Sequence, residues 1–153
     1  MALYLVQHGL ATTEADDPAR PLTEQGRDDV TRVAAHAVEH LGVRPARVIH
    51  SGKTRARQTA EIWAALLAVA DIEEADGLAP NDDPAEWAER VASAGGADLM
   101  LVGHLPHLGR LTGLLLTGPD LGGRSPVTFT PGTLVGLERG EDGWAVTVVL
   151  PPR

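Results

Sequence analysis

Three short apolar runs constrain the architecture of this chain: Leu3-Tyr4-Leu5-Val6, Val48-Ile49-His50 and Leu99-Met100-Leu101-Val102. Each stops abruptly at polar or glycine residues, as a buried strand does in sequence, and each leads into a stretch with helical spacing. Strand–helix–strand units pair their strands in parallel, with right-handed crossovers, and cover the sheet with the intervening helices. The carboxyl ends of those strands then share one edge of the sheet, where ligands bind in open α/β folds. At those ends stand Gln7-His8-Gly9, Ser51 and Gly103-His104.

The spacing predicts a first helix with Thr23 as N-cap and Glu24 in its first turn. Val30, Val33, Ala34, Ala37, Val38 and Leu41 recur on one face, and Gly42 ends it. The second strand, Arg47 to His50, feeds a helix from Lys53 or Thr54 to Ala68, with Ala60, Trp63, Ala64 and Leu67 inward. Asp71 to Leu78 is ambiguous and reads as a short edge strand at most. Asp83-Pro84 is a well-suited N-cap and first helical residue for a helix running to about Ser93, before Gly95-Gly96. A last helix is expected from about Pro106 to Leu116, ended by Gly118-Pro119. Pro126–Thr130, Thr133–Glu138 and Trp144–Leu150 read as strands, the last two joined by the turn Gly140-Glu141-Asp142-Gly143. The expected fold is a three-layer α/β/α sandwich with a mainly parallel central sheet, in a single domain over residues 1–153.

Composition narrows the function classes. With 43% hydrophobic residues among 153, the chain can bury one core. A formal charge of −8 argues against nucleic-acid binding, which needs a basic face. A phosphate site remains compatible, because a few converging arginines suffice. Without cysteine there is no disulfide, no thiolate nucleophile and no cysteine-ligated metal. No apolar run approaches the roughly 20 residues that span a bilayer, and Met1-Ala2-Leu3-Tyr4 lacks the features of a signal peptide. The expectation is a cytoplasmic protein that binds neither membrane nor nucleic acid.

Taken with Arg20-Pro21-Leu22-Thr23 and with Ser51-Gly52-Lys53-Thr54-Arg55-Ala56-Arg57-Gln58-Thr59-Ala60, the strand ends resemble the histidine phosphatase superfamily. The match is to its small branch, the SixA-like phosphohistidine phosphatases of the phosphoglycerate mutase-like fold, and runs from residue 3 to about residue 116. The resemblance implies a metal-free phosphatase without cofactors. His8 would be the nucleophile that carries a phosphohistidine intermediate, with the proton on its other ring nitrogen held by a backbone carbonyl. Arg55 would grip phosphate oxygens, and His104 would donate to the same phosphoryl group. His107 competes with His104 if the loop is shifted. Arg20 corresponds to a pocket arginine, and Ser51 either approaches the phosphate or caps a helix. Gly9, lacking a Cβ, lets the backbone approach an anion closely.

Gln7 departs from the family, which has arginine there. Glutamine keeps a donor but loses a charge, a difference of about 1–2 kcal/mol in the transition state and roughly 5- to 30-fold in rate. A general acid is also hard to find: Asp82 and Asp83 are candidates, Glu14 and Asp16 weaker ones. Its absence suits a phosphorus–nitrogen bond, whose leaving group departs readily once protonated. The expected substrate is a phosphohistidine-bearing protein, with inorganic phosphate as product. A small phosphorylated substrate and a phosphate-binding regulatory module are the alternatives.

Overall fold

The computed structural model describes residues 1–119, 121 and 124–153. In chain order the elements are β1 (Ala2–Gln7), α1 (Glu24–His40), β2 (Arg47–His50), α2 (Thr54–Leu67), β3 (Ile72–Glu74), α3 (Pro84–Ser93), β4 (Leu99–Gly103), α4 (His107–Thr117), β5 (Leu134–Gly140) and β6 (Gly143–Leu150). One sheet runs in the order β3-β2-β4-β1-β5-β6. β3, β2, β4 and β1 pair in parallel, while β5 lies antiparallel to β1, and β6 to β5.

Side-chain alternation in the strands builds the two cores. Val6, Val48, Met100, Val102 and Leu134 face α1 and α2, where Val30, Val33, Ala37, Ala60 and Trp63 are buried. Leu3, Leu5, Ile49, Leu99, Leu101 and Val135 face Trp87 and Val91 of α3 and Leu108 and Leu111 of α4. β4 is buried along its whole length because it is central and covered on both faces.

The helix starts follow their expected chemistry. The Thr23 side chain accepts the Gly26 amide, and the Asp83 side chain accepts that of Ala85 with Pro84 behind it. Two expectations fail. Pro126–Thr130 forms no strand: prolines flank the segment, and the Ser125 hydroxyl bonds both the amide and the carbonyl of Val127, competing with any ladder. Leu41 is exposed, because it caps α1 one residue beyond the helical face it was read onto. The short β3 sits at the sheet edge, and no described helix is long and apolar enough to cross a membrane.

Register levels the strand ends. Gln7 is opposite Gly103 and His50 is opposite Val102, so β1, β2 and β4 finish together. The His8 amide then donates to the Gly103 carbonyl at 3.0 Å. The loop leaving β1 is pressed against α1 without room for a side chain: a Cβ on Gly26 would fall on the Leu10 carbonyl oxygen. Gly26→Ala should therefore destabilise the protein by about 1–3 kcal/mol in urea unfolding; a loss below about 0.5 kcal/mol would show that this packing yields easily.

Candidate active site

His8 leaves the carboxyl end of β1 with its ring chemistry already determined. Its Nδ1 lies 2.7 Å from the Gly9 carbonyl oxygen, and its Nε2 lies 3.3 Å from Nε of Arg55. A carbonyl only accepts and a guanidinium only donates, so the proton sits on Nδ1 and the lone pair on Nε2. Arg55 lies in the first turn of α2. Four residues on and on the same helix face, Thr59 is fully buried; its hydroxyl donates to the Arg55 carbonyl at 2.8 Å and accepts the Gly9 amide at 3.0 Å. Thr59 thus ties the two strand-end segments together. Its place one turn after Arg55 was the available signal in the sequence, and composition alone did not reveal it.

His104 follows β4. Its Nε2 is 2.6 Å from the Ser51 hydroxyl at the end of β2, and its ring centroid is 5.0 Å from that of His8. Ser51 also accepts the Lys53 amide at 3.3 Å, so it serves the helix start as well as the histidine. Arg20 has a left-handed backbone, φ 49°, and its Nε donates to the Thr12 carbonyl at 3.1 Å. Its charge is felt at both His8 and Arg55.

His8, Arg55, His104 and Ser51 are thus brought together, with Arg20 beside them. Gly9 is placed there too, but its amide is taken by Thr59 and its carbonyl by His8. A Cβ on Gly9 would come within 2.8 Å of Val30 and 3.0 Å of the Gly26 carbonyl, so the residue is small because α1 crosses it. Gln7 is buried, with no hydrogen-bond partner for its Oε1. His107 is fully buried at the start of α4, beside the Gly77 backbone and Asp82, while His104 holds the position against His8. Asp82 and Asp83 line a cavity of about 320 Å³ that reaches Ser51, whereas Asp16 is exposed and bonded to the Thr13 hydroxyl. Among the described residues no group of three or more His, Asp or Glu side chains is placed to hold a metal ion.

Burial lowers the pKa of His8 to about 4, the Gly9 carbonyl opposing and the Arg55 and Arg20 charges reinforcing the shift. Burial likewise lowers His104 to about 3, aided by His8 and Arg55. Desolvation and Arg20 lower Arg55. At neutral pH the cluster therefore presents two neutral imidazoles and a net positive charge from Arg55 and Arg20, which suits an anion.

Residues 3–80 match the family described as the histidine phosphatase superfamily, branch 1. The chain belongs to the histidine phosphatase superfamily. Among its relatives, an uncharacterised protein of Picosynechococcus sp. is 40% identical over 115 residues, covering 71% of this chain and 69% of that one. The protein histidine phosphatase SixA, solved in complex with tungstate, is similar at 25% identity with a TM-score of 0.86, covering 99% of this chain and 97% of that one. A SixA structure from Agrobacterium tumefaciens, named as a phosphohistidine phosphatase, gives 26% identity and a TM-score of 0.81 over 99% and 97% of the two chains. This histidine phosphatase superfamily member therefore shares the SixA fold across nearly its whole length.

The depressed histidine pKa values set a pH window. Each ring stays neutral in the folded state while the unfolded one takes up a proton below about 6.5. Their contribution to stability is thus complete above about pH 6.5 and is lost as pH falls toward 4. In imidazole NMR titrations His8 and His104 should remain neutral down to about pH 5, and added phosphate should raise both midpoints. A midpoint above 6 for either ring in the free protein would contradict the site electrostatics.

Proposed function

We propose that this protein is a metal-free phosphatase that dephosphorylates phosphohistidine on a protein, through a phosphorylated His8. The observation that supports this best is the His8 ring: Nδ1–H is committed to the Gly9 carbonyl, and the Nε2 lone pair faces Arg55 at the open end of the sheet. A neutral imidazole with a fixed tautomer is an activated nitrogen nucleophile.

In the first step Nε2 attacks phosphorus and forms a new nitrogen–phosphorus bond. The bond to the substrate imidazole breaks, its electron pair leaving with the substrate nitrogen, whose ring is protonated beforehand and departs neutral. Arg55 releases Nε2 and turns its donors to the equatorial phosphate oxygens, where negative charge needs compensation. His104 and Ser51 donate to the same group, and Arg20 supplies a second positive charge. In the second step water attacks phosphorus, the His8–phosphorus bond breaks, and inorganic phosphate leaves with the proton balance supplied by that water. No carboxylic acid is required, since no alkoxide has to be protonated. Gly9 acts through its two backbone bonds, which hold His8 and the loop. Gln7 contributes a neutral amide in place of a charged arginine. The single domain over residues 1–153 and a cytoplasmic setting belong to the same reading. The likeness to SixA structures supports the substrate class, and the tungstate complex of one of them supports an oxyanion pocket.

A second reading, a small-molecule phosphomonoesterase, draws on Asp82 and Asp83, which line the cavity reaching Ser51 and offer a proton to an alkoxide.

Turnover of a phosphohistidine peptide, p-nitrophenyl phosphate and an alkyl phosphate separates the two. The expected order is phosphohistidine first, aryl second and alkyl last, with His8→Ala reducing all by about a thousandfold or more. Equal activity in His8→Ala would remove the nucleophile from the mechanism, and a dominant alkyl-phosphate rate that collapses in Asp82→Asn would favour the second reading. Gln7→Arg should raise phosphohistidine turnover by about 5- to 30-fold. Unchanged turnover together with unchanged phosphate affinity would detach position 7 from the site.

A further inference from the structure

Gln58 and Thr59, in the second turn of α2, both act on the backbone of other segments. Gln58 Oε1 accepts the Leu22 amide at 2.8 Å, and the Thr59 hydroxyl accepts the Gly9 amide at 3.0 Å. Standing three and four residues after Arg55, they share its face of the helix. The two amides belong to the two limbs of one short ribbon. Ala11 and Leu22 pair antiparallel, flanked by the Thr12 amide on the Pro21 carbonyl at 2.8 Å and the Thr23 amide on the Leu10 carbonyl at 2.9 Å. One limb starts at Gly9, directly after His8, and the other starts at Arg20. The helix that carries Arg55 thus grips both limbs.

Each grip bears on one group of the site. Thr59 spends its own proton on the Arg55 carbonyl at 2.8 Å, which leaves an oxygen lone pair for Gly9. Glycine rotates freely about its backbone, so a tethered amide narrows the orientations open to the Gly9 carbonyl, the acceptor 2.7 Å from Nδ1 of His8. Arg20 has a left-handed backbone, φ 49°, which a residue with a side chain keeps only where its surroundings impose it. Those surroundings are the Asp17 carbonyl, which accepts its amide at 2.9 Å, the Thr12 carbonyl on its Nε at 3.1 Å, and the ribbon that Gln58 fixes two residues on.

We infer that Gln58 and Thr59 are positioning residues that divide the work of the site: Thr59 sets the His8 ring through Gly9, and Gln58 sets Arg20 through Leu22, each against the Arg55 of the same helix. The inference rests on the phosphatase reading above for its kinetic consequences. Placement of the nucleophile governs the chemical step. An arginine that meets the phosphoryl oxygens already in the bound substrate governs affinity first. Loss of the two side chains should therefore leave different kinetic marks.

Phosphoramidate turnover, inorganic phosphate affinity and nitrogen NMR of the His8 ring test this in Thr59→Val, Thr59→Ser, Gln58→Met and Arg20→Ala. Thr59→Val keeps the shape and removes the hydroxyl. It should lower kcat by about 10- to 100-fold with little change in KM, and mix the two His8 tautomers; Thr59→Ser should restore both. Gln58→Met should raise KM and the phosphate dissociation constant together by about three- to tenfold, with kcat and the tautomer kept. In an Arg20→Ala background the same change should have no further effect, since a residue that acts through Arg20 has nothing left to place. An unchanged kcat and unmixed tautomer in Thr59→Val would overturn the inference. So would a Gln58→Met effect that is absent, or that persists in full without Arg20. Gln58 is half-buried, so its arm of the test stands even where Thr59→Val folds poorly. If the wild-type protein hydrolyses no phosphoramidate, the phosphatase reading fails, while phosphate affinity and the His8 tautomer still decide the inference.

Discussion

The register of β4 between β1 and β2 is the constraint on which the reactive edge depends. Leu99 lies opposite Leu3 on one side and Arg47 on the other, so three strands from distant parts of the chain end at one level. A slip of β4 by one residue would carry His104 to the opposite face of the sheet and exchange both apolar faces of the strand. Burial on both sides of β4 prevents that slip, because every residue of the strand is in a core. The precision of the site is thus inherited from packing that has no part in chemistry. The His8 amide on the Gly103 carbonyl is the last bond of that ladder and the first contact of the site.

Electrostatics then sorts the groups gathered there. Two imidazoles with centroids 5.0 Å apart, one buried and one partly buried, beside Arg55 and within reach of Arg20, cannot hold protons cheaply. They stay neutral, and one keeps a nucleophilic lone pair for that reason. Burial keeps His8 neutral, and the guanidinium that reinforces this also occupies its Nε2, so the resting site is self-satisfied until an anion draws Arg55 away. The carboxylates on the far side of Ser51 complete a charge gradient across the mouth of the site.

Much of the fold was legible from local signals. Thr23, Asp83-Pro84 and the Gly140–Gly143 turn act through neighbours in sequence, and each works in the structure as its local chemistry requires. The Pro126–Thr130 segment misled because its alternating character is real, and Val127 and Phe129 do pack on the core, but side-chain bonds from Ser125 replace the ladder. Leu41 misled because helical periodicity continues on paper past the point where the helix stops.

The site divides in the same way. Local sequence already places histidines, an arginine and a serine at the ends of strands, because apolar runs and their stops are encoded residue by residue. Resemblance to a family of known motifs then named His8, Arg55 and His104. Long-range contacts were needed to show which nitrogen of His8 carries the proton, that both polar groups of Gly9 are spent inside the protein, that Thr59 joins the two segments, and that an acidic cavity opens beside Ser51. Each of these depends on contacts between residues about 25 to 50 positions apart or on the path of a neighbouring helix, and such distances exist only once the sheet has closed.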